Sequence, residues 1–300
     1  MTDISRSRAK YFLGVLAMAL VGITACTTAK TPQASNMSLS SEPLLGKMIW
    51  HDLVTEDIDS AQKFYAGLFG WTFHASSGAR GNEYLIASMG DKFVAGLVPL
   101  DSPADDQSYS RWLPYMSVAD VDSAVSRGVA AGATVAVTAR DVNVGRVAAI
   151  IDPQGAVIGL ARSSVGDPDD STTAAAPGRP VWTELLADDP AAAADFYSMI
   201  ASYDSRTIER RGGEYTVLAN SGSDRAGILQ NPAKGEYVPV WITAFGVEDP
   251  AAAAAKAESL GGKIILPVSK DLRDGTTAVV TDPSGAILVL QSWSRNGAES

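Results

Sequence analysis

Two short strings stand out for their chemistry, Trp50-His51-Asp52 and Trp182-Thr183-Glu184. Both lie in runs that read as strands, where successive side chains point to opposite faces. The indole and the carboxylate of each string therefore share one face. Such a pair could stack a flat or cationic ligand and accept its hydrogen bonds. The same pair could equally be structural, with the tryptophan plugging a core and the acid meeting a backbone amide or an arginine. Arg146, Arg225 and Lys270 could meet an anionic ligand or stay solvated. Tyr84, Tyr215 and Tyr237 could line a pocket or pack as ordinary strand residues. Histidine is confined to His51 and His74. With none in the second half there is no Ser-His-Asp set there, and no Gly-x-Ser-x-Gly elbow, phosphate-binding P-loop or Gly-x-Gly-x-x-Gly string occurs.

The sole cysteine, Cys26, follows a basic stretch (Arg6, Arg8, Lys10), an apolar run over residues 11–23, and Ile23-Thr24-Ala25. A short apolar core after positive charge, closed by small residues, is the layout of a secretory signal; a spanning helix needs about 20 apolar residues. The residues before Cys26 resemble the lipobox of bacterial lipoproteins. That resemblance implies removal of residues 1–25 and lipidation of Cys26, with the globular part outside the cytoplasm at a cell-envelope membrane. Thr27 after the cysteine resembles a sorting signal for the outer membrane of a Gram-negative host. Lipidation leaves no thiol for a disulfide, a nucleophile or a metal. The chain carries a net charge of −10, and loss of residues 1–25 makes the remainder two units more negative. An acidic surface of this kind argues against nucleic-acid partners and against holding anionic lipid by charge.

Composition divides the rest. Residues 26–45 are rich in Ser, Thr, Ala and Pro and read as a flexible tether, and residues 163–179 as a linker. Between and after them lie segments 46–162 and 180–295, which are one segment twice. Trp50-x-Asp52 recurs as Trp182-x-Glu184, Asp57 to Phe64-Tyr65 as Asp189 to Phe196-Tyr197, and Glu83-Tyr84 as Glu214-Tyr215. Ala95-Gly96 recurs as Ala226-Gly227, and Asp152-Pro153-Gln154-Gly155 as Asp282-Pro283-Ser284-Gly285. The offset stays near 130 residues throughout.

Periodicity predicts the elements that carry these residues. Residues 48–54 form a strand, and Asp57 caps a helix to about residue 69. Short strands follow near 71–74, 83–88 and 93–98, then a strand at 113–118 and a helix at 120–131. The copy ends in strands near 134–137, 146–151 and 157–161, the last two joined by the Asp-Pro-x-Gly turn. Each copy is thus βαβββ–βαβββ, an α+β class. Whether the modules pair within a copy or between copies stays open at this level.

The order, with Asp57-x₆-Phe64-Tyr65, Leu68-Phe69-Gly70-Trp71 and Asp152-Pro153-x-Gly155, resembles the vicinal oxygen chelate superfamily of glyoxalases, bleomycin-resistance proteins and extradiol dioxygenases. The second copy keeps all but the Leu-Phe-Gly-Trp piece, where it has Ile200-Ala201-Ser202-Tyr203. The resemblance implies two tandem glyoxalase-like domains, each curling a pair of modules into a half-barrel cup. It also implies a divalent metal on the cup floor of the enzymes, held by His or Gln on the first strand, Glu or His on inner strands and Glu on the last. Here the first-strand position holds Trp50 and Trp182, and the last-strand position Gly159 and Val289. None of these side chains can ligate a metal. His51 should face the helices, away from the cup, as a partly buried hydrogen-bonded residue, with His74 at the surface. A relocated metal would need a slip in register and carboxylates such as Asp52 or Glu83.

The expectation is a membrane-tethered protein that binds a small organic molecule without metal or other cofactor, through Trp50, Asp52, Trp182 and Glu184. The alternatives are a lyase or dioxygenase with metal around His51, Asp52 and Glu83, and a structural envelope protein. The anchor has a direct test. Cells fed an alkyne fatty acid should label the full chain, and Cys26→Ala should abolish labelling and release the protein from the membrane fraction; equal labelling of both would exclude Cys26 as the acylated residue.

Overall fold

The computed structural model describes residues 38–76, 84–101, 108–170, 177–210 and 213–292. The signal segment, Cys26, residues 27–37 of the tether and Glu83 lie outside the described residues. In chain order the first copy comprises β1 (Met48–Thr55), α1 (Ile58–Phe69), β2 (Thr72–Ala75), β3 (Leu85–Met89), β4 (Lys92–Pro99), β5 (Arg111–Ser117), α2 (Val121–Ala130), β6 (Thr134–Val142), β7 (Gly145–Ile151) and β8 (Val157–Ser163). The second comprises β9 (Pro180–Ala187), α3 (Pro190–Ala201), β10 (Asp204–Arg210), β11 (Gly213–Asn220), β12 (Ser223–Gln230), β13 (Val240–Val247), α4 (Pro250–Ser259), β14 (Lys263–Leu266), β15 (Thr277–Thr281) and β16 (Ile287–Ser292). Among the described residues no helix is long and apolar enough to cross a membrane.

Each helix begins where an aspartate offers its carboxylate to free backbone amides. Asp57 accepts from Ser60 N, Asp120 from Ser123 N, Asp189 from Ala192 N, and Asp249 from Ala251 N and Ala252 N. Gly70 ends α1 in the left-handed region at φ 73°, and Ser202 takes the same conformation after α3 at φ 54°. A serine there is a costlier choice than glycine, and it stands where the first copy has the glycine of Leu68-Phe69-Gly70-Trp71.

Strand pairing resolves the open question of module partnership. The sheets run β2-β3-β4-β1-β5-β8-β7-β6 and β10-β11-β12-β9-β13-β16-β15-β14. The two modules of one copy therefore form one eight-stranded cup, joined at its centre by the antiparallel pairs β1·β5 and β9·β13. The cores follow a different rule. One joins the second half of the first copy (Met116, Val121, Ile150, Ile158, Leu160) to Leu185, Phe196, Tyr197 and Ile228 of the first half of the second, with Trp241 from β13. The other joins Leu53, Phe64, Tyr65, Leu97 and Trp112 to Phe245, Val280, Leu288 and Leu290. Cups are made within copies, and cores between them.

Buried polar pairs lock this arrangement reciprocally. Tyr65, on α1, donates its hydroxyl to Asp282 Oδ2 at 3.2 Å, while Tyr197, on α3, donates to Asp152 Oδ2 at 2.8 Å. Trp112 Nε1 and Trp241 Nε1 donate in turn to those phenolic oxygens at 3.1 and 2.9 Å. The other oxygen of each aspartate accepts the amides of its own Asp-Pro-x-Gly turn, Gln154 and Ala156 in one copy and Ser284 and Ala286 in the other. A second reciprocal pair ties the leading residues: Trp71 Nε1 donates to Gly178 O, and Tyr203 to Gly46 O.

The end of the tether is held as well. Leu39 bridges to Pro168, Ser40 N donates to Asp167 O, and Leu44 N donates to the buried Asp167 carboxylate. Lys47 Nζ caps Pro168 O and pairs with Asp170 at 3.0 Å. Residues 38–45, which composition assigns to the tether, thus lie against the start of the linker.

Burial lifts the Asp282 carboxyl to about 6, against hydrogen bonds from Ala286, Tyr65 and Ser284. Its unfolded value is about 3.9. A carboxyl raised on folding contributes fully below its unfolded value, and that contribution is lost as pH rises through its folded value. The loss should reach about 3 kcal/mol. Asp282→Asn keeps an acceptor for Tyr65 but cannot ionise. Between about pH 4 and 7 in urea titrations, the unfolding free energy of the parent should fall relative to that of the variant by about this amount; parallel curves would remove Asp282 as a source.

Candidate functional site

The alternation of β1 assigns its side chains to two different environments. Leu53 and Thr55 enter the shared core region and are fully buried. His51 lies between the sheets, buried, with Nε2 3.1 Å from Thr183 Oγ1, the residue at its own position in the other copy. It faces the partner sheet rather than the helices alone, and burial pushes its imidazole down to about 3. His74 is exposed on β2. Trp50, Asp52 and Val54 face the other way, into the first cup.

There Trp50 and Asp52 meet a third residue. Trp50 Nε1 donates to Asp52 Oδ1 at 2.8 Å and to Tyr84 Oη at 2.9 Å, and Tyr84 Oη donates to Asp52 Oδ1 at 2.8 Å. Tyr115, which pairs with Trp50 across β1·β5, gives a further side-chain hydrogen bond to Asp52, and Arg140 on β6 acts on both electrostatically. Desolvation raises the Asp52 carboxyl above its ordinary range, opposed by the Tyr84, Trp50 and Tyr115 hydrogen bonds and by the Arg140 charge. Beside this polar floor the cup is apolar, with Val54, Leu113, Val157, Val98 and Ile151 packed around Tyr115.

The second cup repeats the theme with different connections. Trp182 Nε1 donates to Tyr215 Oη at 2.7 Å, and Tyr215 Oη donates to Glu184 Oε1 at 2.7 Å. Glu184 Oε2 is taken by Arg273, whose other nitrogen reaches Gln291 Oε1 at 3.3 Å. The arginine sits on a turn with Arg273 at φ 47° and Asp274 at φ 54°. Left-handed backbone at residues other than glycine costs on the order of 1–3 kcal/mol each, and this turn carries Arg273 to Glu184 and Gln291. The guanidinium of Arg210 lies 3.8 Å from the Tyr215 ring centroid. Val181, Ile242, Ala244 and Val289 supply the apolar part.

The four residues expected from the sequence are therefore brought together in two pairs, each completed by a tyrosine. Tyr84 and Tyr215 were visible as members of the repeated Glu-Tyr strings, and their need for room explains a second repeat, Ala95-Gly96 and Ala226-Gly227. A β-carbon at Gly96 would overlap Tyr84 Oη and Asp52 Oδ1, and one at Gly227 would overlap Tyr215 Oη. Tyr115, Arg140 and Arg273 carry no repeat signal and escape sequence reasoning. Arg146 pairs with Asp122 and Asp141 at the surface, Arg225 is buried against Asp170, and Tyr237 is 70% exposed, away from either floor.

The donor set does not suit a metal. The expected last-strand position, Gly159, is covered by the Tyr115 ring, which a β-carbon there would strike; in the second cup the corresponding pair is Ala244 and Val289. The first-strand positions present indole N–H groups, which donate and cannot coordinate. Among the described residues no three His, Cys, Asp or Glu side chains are grouped to hold an ion. His51 and Asp52 lie on opposite faces of β1.

Comparison with known proteins follows the same lines. The family model Glyoxalase/Bleomycin resistance protein/Dioxygenase superfamily matches residues 47–160 and again 179–290. "Putative glyoxylase CFP32" of Mycobacterium tuberculosis is 34% identical over 257 residues, covering 84% of this chain and 96% of that protein. "Anthracycline biosynthesis protein DnrV" of Streptomyces peucetius is 30% identical, covering 80% and 91%. Among solved structures, the Mn(II)-bound glyoxalase from Novosphingobium aromaticivorans superposes with a TM-score of 0.54 at 14% identity, covering 84% of this chain and 83% of that one. At that identity the likeness speaks for the fold.

The close approach of Tyr84 to Gly96 can be tested by a mutant cycle. Gly96→Ala should cost about 1–3 kcal/mol by overpacking. Combined with Tyr84→Ala, which removes one of the two side chains in the way and leaves Asp52, the two losses should fall short of additivity by more than about 0.5 kcal/mol in urea unfolding. Additive losses would show that Tyr84 does not rest on Gly96.

Proposed function

The chain belongs to the Glyoxalase/Bleomycin resistance protein/Dioxygenase superfamily, and on that premise we propose that it is a metal-independent receptor for a flat organic molecule, held at a cell-envelope membrane through Cys26. The observation that carries this reading is the hydrogen-bonded Trp–Tyr–acid floor, present in both cups where the superfamily's metal enzymes would need ligands. An indole and one or two phenols beside apolar walls offer stacking area. The buried carboxylate offers a site for a cationic or hydrogen-bond-donating substituent.

The relatives support a ligand of this kind without naming it. The Streptomyces relative carries anthracycline biosynthesis in its name, and anthracyclines are flat and aromatic. The name of the mycobacterial relative supports the enzyme alternative; here that reading would need a metal to draw His51 out of its contact with Thr183.

Two measurements on the chain freed of residues 1–25 decide between them. Proflavine, a flat aromatic cation, and an anthracycline should quench tryptophan fluorescence saturably. Replacing Trp50 and Trp182 by Phe, Asp52 by Asn and Glu184 by Gln together should weaken binding at least about tenfold, on the order of 1.4 kcal/mol. Unchanged affinity in that variant would overturn the proposal. Elemental analysis after dialysis against Zn, Ni, Mn and Fe should find no stoichiometric metal, whereas one equivalent lost on His51→Ala would hand the site to the metal enzyme.

A further inference from the structure

The two cups share a floor and differ in what lies on it. In the second, Arg273 reaches in from the turn between β14 and β15 and pairs with Glu184. The carboxylate is all but sealed, with a side chain 2% exposed, while the arginine side chain keeps 28%. Burial works against the Arg273 charge, and the charge and hydrogen bond of Glu184, with Tyr215 beside them, together sustain it. The guanidinium thus lies on top of the acid, between it and solvent.

The slot is built for that group. Glu184 accepts from one nitrogen, Gln291 Oε1 from another, and Tyr215 stands beside them, bonded to the same carboxylate. Gln291 is itself oriented by Thr277 Oγ1 at 2.6 Å and by donating to Thr276 Oγ1 at 3.1 Å. The turn that delivers the arginine is closed by Thr276 Oγ1 on Arg273 O at 2.6 Å and by Gly275 N on Leu272 O. The first cup lacks these parts. By register, Ala161 stands where the second cup has Gln291, and Tyr115 fills the space left there by Ala244. Asp52 accepts from Trp50, Tyr84 and Tyr115, with Arg140 acting on it electrostatically.

We propose that Arg273 is a built-in occupant of the second cup, filling a slot of Glu184, Gln291 and Tyr215 that recognises planar guanidinium or amidinium cations, so that the binding of external flat molecules falls to the first cup. A planar fork matches a carboxylate and an amide oxygen together, which an ammonium cannot do with the same geometry. The proposal rests on the reading of the cups as binding sites only for the part that concerns the first cup; the slot stands on its own contacts.

The test uses the whole chain from residue 27, with methylguanidinium as the probe and methylammonium as its non-planar counterpart. Arg273→Ala should bind methylguanidinium at least tenfold more tightly than the parent, by calorimetry. Glu184→Gln in the same background should abolish the gain, and methylammonium should not reproduce it. Equal binding by parent and Arg273→Ala, or equal response to both cations, would overturn the slot. If Arg273→Ala folds poorly, its yield of soluble protein on refolding becomes the readout: rescue by methylguanidinium alone supports the proposal, and rescue by neither or both defeats it. Proflavine, measured in parallel, should bind the parent at one site that is lost in Asp52→Asn and kept in Glu184→Gln; loss in Glu184→Gln instead would overturn the assignment of binding to the first cup. Methylguanidinium binding to Arg273→Ala with no proflavine binding to the parent would leave the slot standing and remove the receptor reading; the converse result would do the opposite.

Discussion

The structure depends on the exchange of tyrosine hydroxyls between copies. Tyr65 and Tyr197 are fully buried, and each finds its acceptor on the opposite copy's Asp-Pro-x-Gly turn. A buried phenol or carboxylate left unsatisfied costs on the order of 1–3 kcal/mol, so removing either partner inside the shared core would strand the other on the opposite copy. The tryptophans that donate to the same phenols extend the network into the centre of each core. Aromatic packing adds to it: Tyr65 stacks with Trp71 at 5.2 Å and meets Trp112 edge-on at 5.4 Å, while Tyr197 meets Trp241 edge-on at 5.1 Å. The copies are therefore one folding problem, with hydrogen-bond ladders running within each copy and apolar burial running between them.

That division of labour decides where function can lie. Convex faces are spent on the shared cores, so β1 and β9 must send one set of side chains inward and leave the other set in the cups. His51 and Asp52 are neighbours in sequence and face opposite sides for this reason alone. The side of the strand that holds His51 is dry enough to keep its imidazole neutral, and the side that holds Asp52 is ringed with donors that keep a carboxylate tolerable. Each cup solves its buried acid differently. The first surrounds Asp52 with three neutral donors, with the Arg140 charge acting on it electrostatically, and the second gives Glu184 one phenol and one guanidinium. A carboxylate served by neutral donors still attracts a cation, whereas one already paired has little left to offer.

Much of this was legible in the residues. The βαβββ order, the aspartate caps and the hairpin turns follow from local chemistry, and the helices end within a residue or two of where periodicity places them. The Trp-x-acid pairs were legible because alternation is a strict rule on a strand. The repeated Ala-Gly string was legible only as evidence of duplication; that its glycine makes room for a tyrosine on the next strand is a fact of register that spacing does not carry. The Phe-Tyr and Asp-Pro-x-Gly strings likewise read as a helix signature and a turn. Their meeting across copies depends on how two sheets pack, which no local pattern encodes. His51 shows the same limit. Alternation turns it away from the cup, but only the packing of the sheets reveals that it meets Thr183.

Divergence after duplication explains why the cups differ while the Tyr–Trp–Asp latches do not. A change in a latch residue would strand a buried polar group on the opposite copy, so both sets of Tyr, Trp and Asp are retained in the same roles. Cup residues face only their own sheet, and a change there can be absorbed locally. Where the first cup has Tyr115 over Gly159, the second has Ala244 over Val289, a swap that moves bulk from one strand to its neighbour and keeps the face filled. The space above Ala244 and the amide of Gln291, in place of Ala161, are what admit a guanidinium beside Glu184. The extra methylene of Glu184 relative to Asp52 lets its carboxylate face Tyr215 with one oxygen and Arg273 with the other. One cup has thus been free to take in a side chain of its own chain, and the other keeps its acid under neutral donors.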